Sequence, residues 1–317
     1  MDPLSDVLSL LKPRSSLSSG LDAGGAWSIQ FSPPVLVKCY AVVSGQCWLA
    51  VEGVPDALLL KAGECFLLPG GRPFRLASDL SLPPVDSSSV FPPARAGGVV
   101  TVGGGGSFFL VGSRFTLGGH TDLLLGMLPP VVHFSSEGDR AAMRWLVERM
   151  QQEVRGQQPG GDLVAQHLAH MMLIQALRLY LAHGPHERDA GGVGWLFALG
   201  DRQLGAAIEN IHAEPAGHWT VQALAERAGM SRSAFAQRFK AMVGTSPMAY
   251  LTRWRMVLAA ERLSRPGEPV SVIALSLGYE SESAFSTAFK RVMGRSPRQH
   301  ARLAPSPVEP QPAFEGA

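Results

Sequence analysis

Residues 274–297 read ALSLGYESESAFSTAFKRVMGRSP, and this stretch decides the fold of the last third of the chain. The same grammar occurs upstream as Ala225-Glu226-Arg227-Ala228-Gly229-Met230-Ser231, then Ala234-Phe235, Phe239-Lys240, Gly244 and Ser246-Pro247. From Ala234 onward the two copies are offset by 50 residues; before it the offset is 49, because the second copy has one extra residue in its turn. An internal repeat means that one supersecondary unit is used twice.

Each copy predicts a helix-turn-helix from its own chemistry. Thr220 can cap a first helix that carries Val221, Leu224, Ala225 and Ala228 on one face. Gly229 supplies a turn in which positive φ is cheap only for glycine. Ser231 caps the second helix, with a core face of Phe235, Phe239 and Val243. Gly244 ends that helix, and Pro247 opens the next at a position that needs no N–H. The second copy is read with Ser271 as cap, Val272, Leu275 and Leu277 as apolar positions, Gly278 as turn, and Phe285, Phe289 and Met293 as core. Tyr250 to Leu263, with Leu251, Trp254 and Leu258, reads as a helix joining the units, placing two recognition helices in successive major-groove segments about 34 Å apart.

Opposite the phenylalanines, helical geometry predicts two polar stripes. One holds Ser233, Ala236, Gln237 and Lys240; the other holds Glu282, Ser283, Ser286, Thr287 and Lys290. Gln237 can pair with adenine N6/N7, Glu282 can accept from cytosine N4, and Ser and Thr suit either sort of edge. Arg232, Arg238, Lys240, Lys290 and Arg291 flank the stripes and suit phosphates. Charge placement agrees in sign: net −2 over residues 1–200 and net +5 over 201–300, in a chain of net +2. A basic third behind a slightly acidic body suits a polyanion.

With these residues in place, 196–303 resembles the DNA-binding domain of the AraC/XylS transcriptional regulators. The tract at 274–297 is close to that family's most specific signature. The resemblance implies a seven-helix domain with two helix-turn-helix units. It puts the base-reading places on Ser233, Ala236 and Gln237 in copy one and on Glu282, Ser283 and Thr287 in copy two. His300 stands where the family usually has an aromatic and is read as packing.

Working outward, Gly184 to Gly194 (GPHERDAGGVG) reads as a linker. Before it, Arg140 to Arg155 and Asp162 to His183 read as two amphipathic helices. Met143, Leu146, Val147 and Met150 line the first; Leu163, Leu168, Met171, Met172, Ile174, Leu177 and Leu181 spread over a broad face of the second. That breadth suits a partner subunit. Further upstream the period is two. Trp27 to Phe31, Val35 to Val43, Cys47 to Val51, Ala57 to Lys61, Glu64 to Leu68 and Ser107 to Leu117 read as short strands with close turn signals, hence an antiparallel sandwich or barrel. Ser78 to Ser107 reads as a long loop with one strand at Gly98 to Val102.

This part resembles the cupin-like sensor domain of a branch of the same regulators, through CYAVVSGQCWLAVEG, KAGECFLLPGG and LLLGMLPPVV. The resemblance implies small-molecule sensing, dimerisation or both. Metal-binding cupins cluster His and Glu on barrel strands. Here Cys39-Tyr40 occupies a place where a histidine is expected, residues 72–76 (RPFRL) lack one, and His120 and His133 lie outside those strands. The expectation is no metal, no cofactor and no enzyme.

Weaker chemical candidates are also present. Cys39, Cys47 and Cys65 sit in strand-like apolar runs and read as buried free thiols. His167 and His170 have metal-ligand spacing but no third ligand. Gly103 to Gly106 is no phosphate loop, because no Lys-Ser/Thr follows it.

The 317 residues, 46% hydrophobic and 17% charged, exclude wholesale disorder and suit two cores. No run approaches the length of a membrane span, and Met1 to Leu11 lacks the basic start of a secretory signal. The expected organisation is mixed: an amino-terminal antiparallel β-barrel (cupin-like) with flanking helices, 1–137; a helical dimerisation segment, 138–183; a linker, 184–194; an all-α domain with two helix-turn-helix units, 195–303; and a disordered tail, 304–317. The expected function is a cytoplasmic, sequence-specific transcriptional regulator. Its partners are double-stranded promoter DNA, a small-molecule effector, a second copy and, as a further candidate, RNA polymerase. The alternative is a cupin-type enzyme acting on a small organic substrate, with a DNA-binding appendage.

Overall fold

A computed structural model describes residues 2–11, 13–33, 37–70, 72–91, 98–116, 128–156, 158–182, 195–265 and 267–303. The expected linker at 184–194, the tail at 304–317, His120 and residues 123–127 of the cupin-like tract lie outside the described residues. In chain order, α1 (Pro3–Leu11) is followed by β1 (Arg14–Ala23), β2 (Ser28–Phe31), β3 (Val37–Ser44), β4 (Gln46–Val51), β5 (Leu58–Lys61), β6 (Cys65–Leu68), β7 (Phe74–Ala77) and β8 (Val85–Asp86). A short α2 (Ser87–Val90), β9 (Val99–Val102), β10 (Phe108–Thr116) and β11 (Val132–Phe134) complete the sheet region. Helices α3 (Glu137–Gly156) and α4 (Gly161–Ala182) come next. The last part holds α5 (Trp195–Leu199), α6 (Arg202–Ala213), α7 (Val221–Arg227), α8 (Arg232–Val243), α9 (Pro247–Leu263), α10 (Val270–Ser276), α11 (Glu282–Met293) and α12 (Pro297–Leu303).

The mixed class stands, but the strands do not close into one barrel. They form two sheets, ordered β11-β6-β3-β10-β1-β9 and β5-β4-β7-β2-β8. Nor is the pairing wholly antiparallel, because β1–β9 and β2–β8 run parallel. The inner faces share one core, including Tyr40, Val42, Phe66, Phe74 and Leu110. The outer face of the six-stranded sheet is covered by α3 and α4, in a second core that includes Cys39, Ala41, Val111, Met143 and Met172. Strand β3 is therefore covered on both sides, which is why its apolar run shows no polar alternation: residues 37–42 are all buried. Cys39, Cys47 and Cys65 are free and buried, and burial pushes the Cys39 and Cys47 thiols up to about 12 and the Cys65 thiol up as well.

His133 needs a correction. It lies on β11, paired with β6, and its Nε2 is 2.9 Å from Oε2 of the buried Glu64. Of the two helical histidines, His170 is bonded to the Pro13 carbonyl.

Helix α1 packs against α6 and α9, with Leu4 and Val7 buried in the core shared with them. At this junction the His212 ring stacks on Trp254 at 3.8 Å, and its Nε2 lies 2.8 Å from the Tyr250 hydroxyl. Asp6 Oδ2 is 3.7 Å from Nδ1. Asp6 favours the charged ring, but burial outweighs it and holds His212 down at about 3. A base depressed in the folded state stays neutral there while the unfolded chain takes up a proton below its ordinary value near 6.5. The stability this group contributes is full above that pH and declines as pH falls toward the folded value. Between pH 6.5 and pH 5 the expected loss is about 2 kcal/mol. Urea denaturation at pH 7 and pH 5 checks it: His212→Gln should remove that component of the difference, and an equal pH dependence in both chains refutes the assignment.

Candidate nucleic-acid interface

The first unit is built as its residues dictate. Thr220 Oγ1 accepts from Ala223 N at 3.1 Å and caps α7; Leu224 and Ala225 are buried. Gly229 takes φ +63°, and Met230 N donates back to Ala225 O at 2.9 Å, which closes the turn. Ser231 Oγ accepts from Ala234 N and caps α8. Phe235, Phe239 and Val243 are fully buried beneath it. Gly244 ends the helix at φ +80°, and Ser246 with Pro247 starts α9.

The second unit repeats the frame with two differences from the sequence reading. Its first helix starts at Val270 after an N-cap at Pro269, with no side-chain cap bond, so Ser271 is not the cap. The buried positions are Ile273, Ala274 and Leu277, whereas Val272 and Leu275 face solvent. The helix starts two residues earlier than a Ser271 cap implies, and for Val272 and Leu275 the sequence reading took the wrong side of a short helix. The turn is one residue longer here, and its glycine is closely packed. Gly278 has φ +76°, and a Cβ there would meet Ala216 O at 2.4 Å, whereas a Cβ on Gly229 would meet nothing within 4 Å. Ser281 caps α11; Phe285, Phe289 and Met293 are buried, and Gly294 ends it. His300 packs edge-on against Phe289 at 5.5 Å.

The outward faces carry the candidate residues. Arg232, Ser233, Gln237 and Lys240 are exposed on α8, with Ala236 half-buried among them. On α11, Glu282, Ser283, Thr287, Lys290 and the adjoining Arg291 are exposed. Thr287 Oγ1 donates to Ser283 O at 3.0 Å, so its hydroxyl proton is spent and its acceptor side remains. Glu282 lies 3.9 Å from Arg298.

Arg238 differs from the other four cations. Its guanidinium donates to Gln203 Oε1 at 2.8 Å and is paired with the Asp201 carboxylate. Asp201 also caps α6 through Gln203 N and Leu204 N, and Gln203 Nε2 reaches Ala228 O at 3.2 Å. Arg238 thus ties α8 to α6 and the turn, and its guanidinium is already committed within the domain. Sequence reasoning also missed Arg255 on α9. It donates to Pro215 O at 2.6 Å and Gly217 O at 2.8 Å, and lies 5.6 Å from the Tyr279 ring just past the second turn. One side chain on the shared helix therefore clasps the segment before the first unit and the turn of the second.

Paired turn-linked helices with polar outer faces on a common core define a DNA-binding regulator carrying a second, cupin-type region. A cupin family profile matches residues 2–182, and a helix-turn-helix domain profile matches residues 224–302. The chain is 46% identical over 310 residues to a protein of Streptomyces antibioticus whose name classes it as an AraC-like transcription regulator, covering 97% of this chain and 100% of that one. A similarly named protein of Streptomyces lividans is 44% identical over 300 residues, covering 94% and 97%. The RCS-specific HTH-type transcriptional activator RclR of Escherichia coli K12 is 31% identical over 305 residues, covering 95% and 97%. The chain belongs to the AraC-like family of transcription regulators. Its relatives carry the names of regulators, which counts against the cupin-enzyme alternative. Among the described residues, no helix is long and apolar enough to cross a membrane.

Proposed function

We propose that residues 195–303 form the unit that reads a specific promoter sequence, through Ser233, Ala236 and Gln237 on α8 and Glu282, Ser283 and Thr287 on α11. The observation that carries this reading is the pair of exposed polar helix faces over two matched phenylalanine cores. Arg232, Lys240, Lys290 and Arg291 are the phosphate contacts. Arg238, given its bonds to Asp201 and Gln203, is a positioning residue instead. The small side chains at Ser233 and Ala236 leave Gln237 as the main reader of the first unit. Gln237→Ala, and separately Thr287→Ala, should relax preference at one base position by about 1–3 kcal/mol. Selection from random duplexes with each variant tests this, and unchanged preference at every position moves the reading stripe elsewhere.

The region 1–137 is the effector-sensing part, 138–183 the helical segment that pairs subunits, and 184–194 the connection to the reader. A cytoplasmic location suits this role, and RNA polymerase at the promoter is a further candidate partner. Pairing is supported by apolar side chains left uncovered: Trp145 on α3 is 61% exposed, and Leu163 and Met171 on α4 are 59% and 48% exposed. Aromatic and Met residues on such a surface suit a second copy. A Leu163→Glu/Met171→Glu chain should self-associate more weakly by about 2 kcal/mol, roughly thirtyfold. Sedimentation across a concentration series reads this directly; equal association of both chains removes α4 from the interface.

A further inference from the structure

We infer that the open cleft between α6, α7 and the turn of the first unit is a docking surface for an acidic segment of a partner protein, held by Arg202 and Arg227. The cleft measures about 660 Å³ and is lined by Asp201, Arg202 and Gln203 at the start of α6, Arg227 at the end of α7, Gly229 in the turn and Arg238 on α8. Two of its charges cancel, because Arg238 is paired with the Asp201 carboxylate and bonded to Gln203 Oε1. Asp201 also caps α6, and Gln203 reaches Ala228 O, so the same network fixes both walls. The remaining two guanidiniums, of Arg202 and Arg227, are exposed, and neither forms a hydrogen bond or an ion pair with any described residue. The cleft thus presents two uncommitted cations on helices whose positions are set.

The repeat supplies an internal comparison. In the second unit Ser276 stands at the place of Arg227, and the buried Ala288 at that of Arg238. Ser276 Oγ accepts from Arg262, and a Cβ on Gly278 would meet Ala216 and Arg255, so the chain itself closes that turn. A helix-turn-helix therefore folds without this cleft or its arginines. At 3.6 residues per turn, Arg238 lies about 100° round α8 from Gln237 and about 140° from Ser233. The cleft is on the flank of the helix, and a partner seated there leaves the polar stripe free for a duplex. Composition names the occupant. Small-molecule sites are mostly apolar, but no apolar side chain larger than alanine lines this cleft. Forked guanidiniums suit carboxylates, which they grip with two parallel bonds, and arginine is enriched where proteins meet.

The test uses the full chain, with end-blocked hexaglutamate as probe and hexaglutamine as control, read by fluorescence anisotropy at about 0.15 M salt. Hexaglutamate should bind more tightly than hexaglutamine by about tenfold or more. Arg202→Ala/Arg227→Ala should lose about tenfold or more of that affinity, melt with the parent and bind duplex DNA as the parent does. Lys240→Ala/Lys290→Ala should do the reverse, losing duplex affinity and keeping the peptide. Failure of hexaglutamate to bind, equal binding of the two peptides, or undiminished binding by the arginine variant overturns the docking surface. Equal loss of the peptide in the lysine variant overturns it too, by placing the peptide on the reading face. So does a salt slope for duplex flattened by about two units in the arginine variant, since both side chains would then be phosphate contacts. The inference rests on α8 presenting its stripe to DNA, and the two arms separate the readings. If the lysine variant keeps full duplex affinity while the peptide still depends on Arg202 and Arg227, the reading face is wrong and the docking surface stands.

Discussion

Phe239→Ala should destabilise the carboxy-terminal domain by about 3–5 kcal/mol. The ring is fully buried, 5.5 Å from Phe235 and edge-on to Tyr250 at 5.8 Å. It therefore joins α8 to α9, and removing it opens a cavity where the first reading helix meets the helix shared by both units. Against a typical total of roughly 5–15 kcal/mol, that loss leaves a marginal domain. Lys240→Ala, one residue on but exposed, should stay within about 0.5 kcal/mol of the parent. Urea denaturation of the three chains separates these cases. A Phe239→Ala chain as stable as Lys240→Ala would mean that the phenylalanine core does not hold α8.

The second large effect is electrostatic. Replacing Arg232, Lys240, Lys290 and Arg291 together by alanine should lower affinity for every duplex. It should also flatten the dependence of log affinity on log salt by roughly 3 to 4 units, since each phosphate contact contributes about 0.9. All four side chains are exposed, and no carboxylate among the described residues forms an ion pair with them, so the fold should be unaffected. Anisotropy titrations between about 50 and 200 mM salt give the slope. A slope equal to that of the parent would take these residues off the phosphate backbone.

What the sequence disclosed follows from how local each signal is. The helix-turn-helix units were legible because caps, turn glycines and phenylalanine spacing act within one turn or two. Ser271 misled because a cap was sought in a side chain, whereas Pro269, with φ −63° and ψ 142°, supplies the extended backbone by itself. Strand β1, RSSLSSGLDA, carries little β propensity and was not read as a strand; it is held by pairing to β10 on one side and β9 on the other. The division into two sheets was equally hidden, because alternation tells which side chains face inward and says nothing about which edge a strand finds. The commitment of Arg238 could not be foreseen either, since Asp201 and Gln203 lie more than thirty residues away along the chain. The polar stripes of α8 and α11 were legible as surfaces, being what remains once the core faces are assigned.

The clasp made by Arg255 has a consequence for the promoters such a protein can use. With the loop at Pro215 and Gly217 and the ring of Tyr279 held by one guanidinium on a helix common to both units, the second turn cannot shift against the segment that leads into the first unit without breaking those contacts. The operator of such a device has a fixed phase. Lengthening its spacer by half a helical turn carries one box to the far side of the duplex, and no hinge within the domain can follow it there. Variety in promoter layout must then arise from how many whole molecules assemble and where, not from elasticity inside a single one.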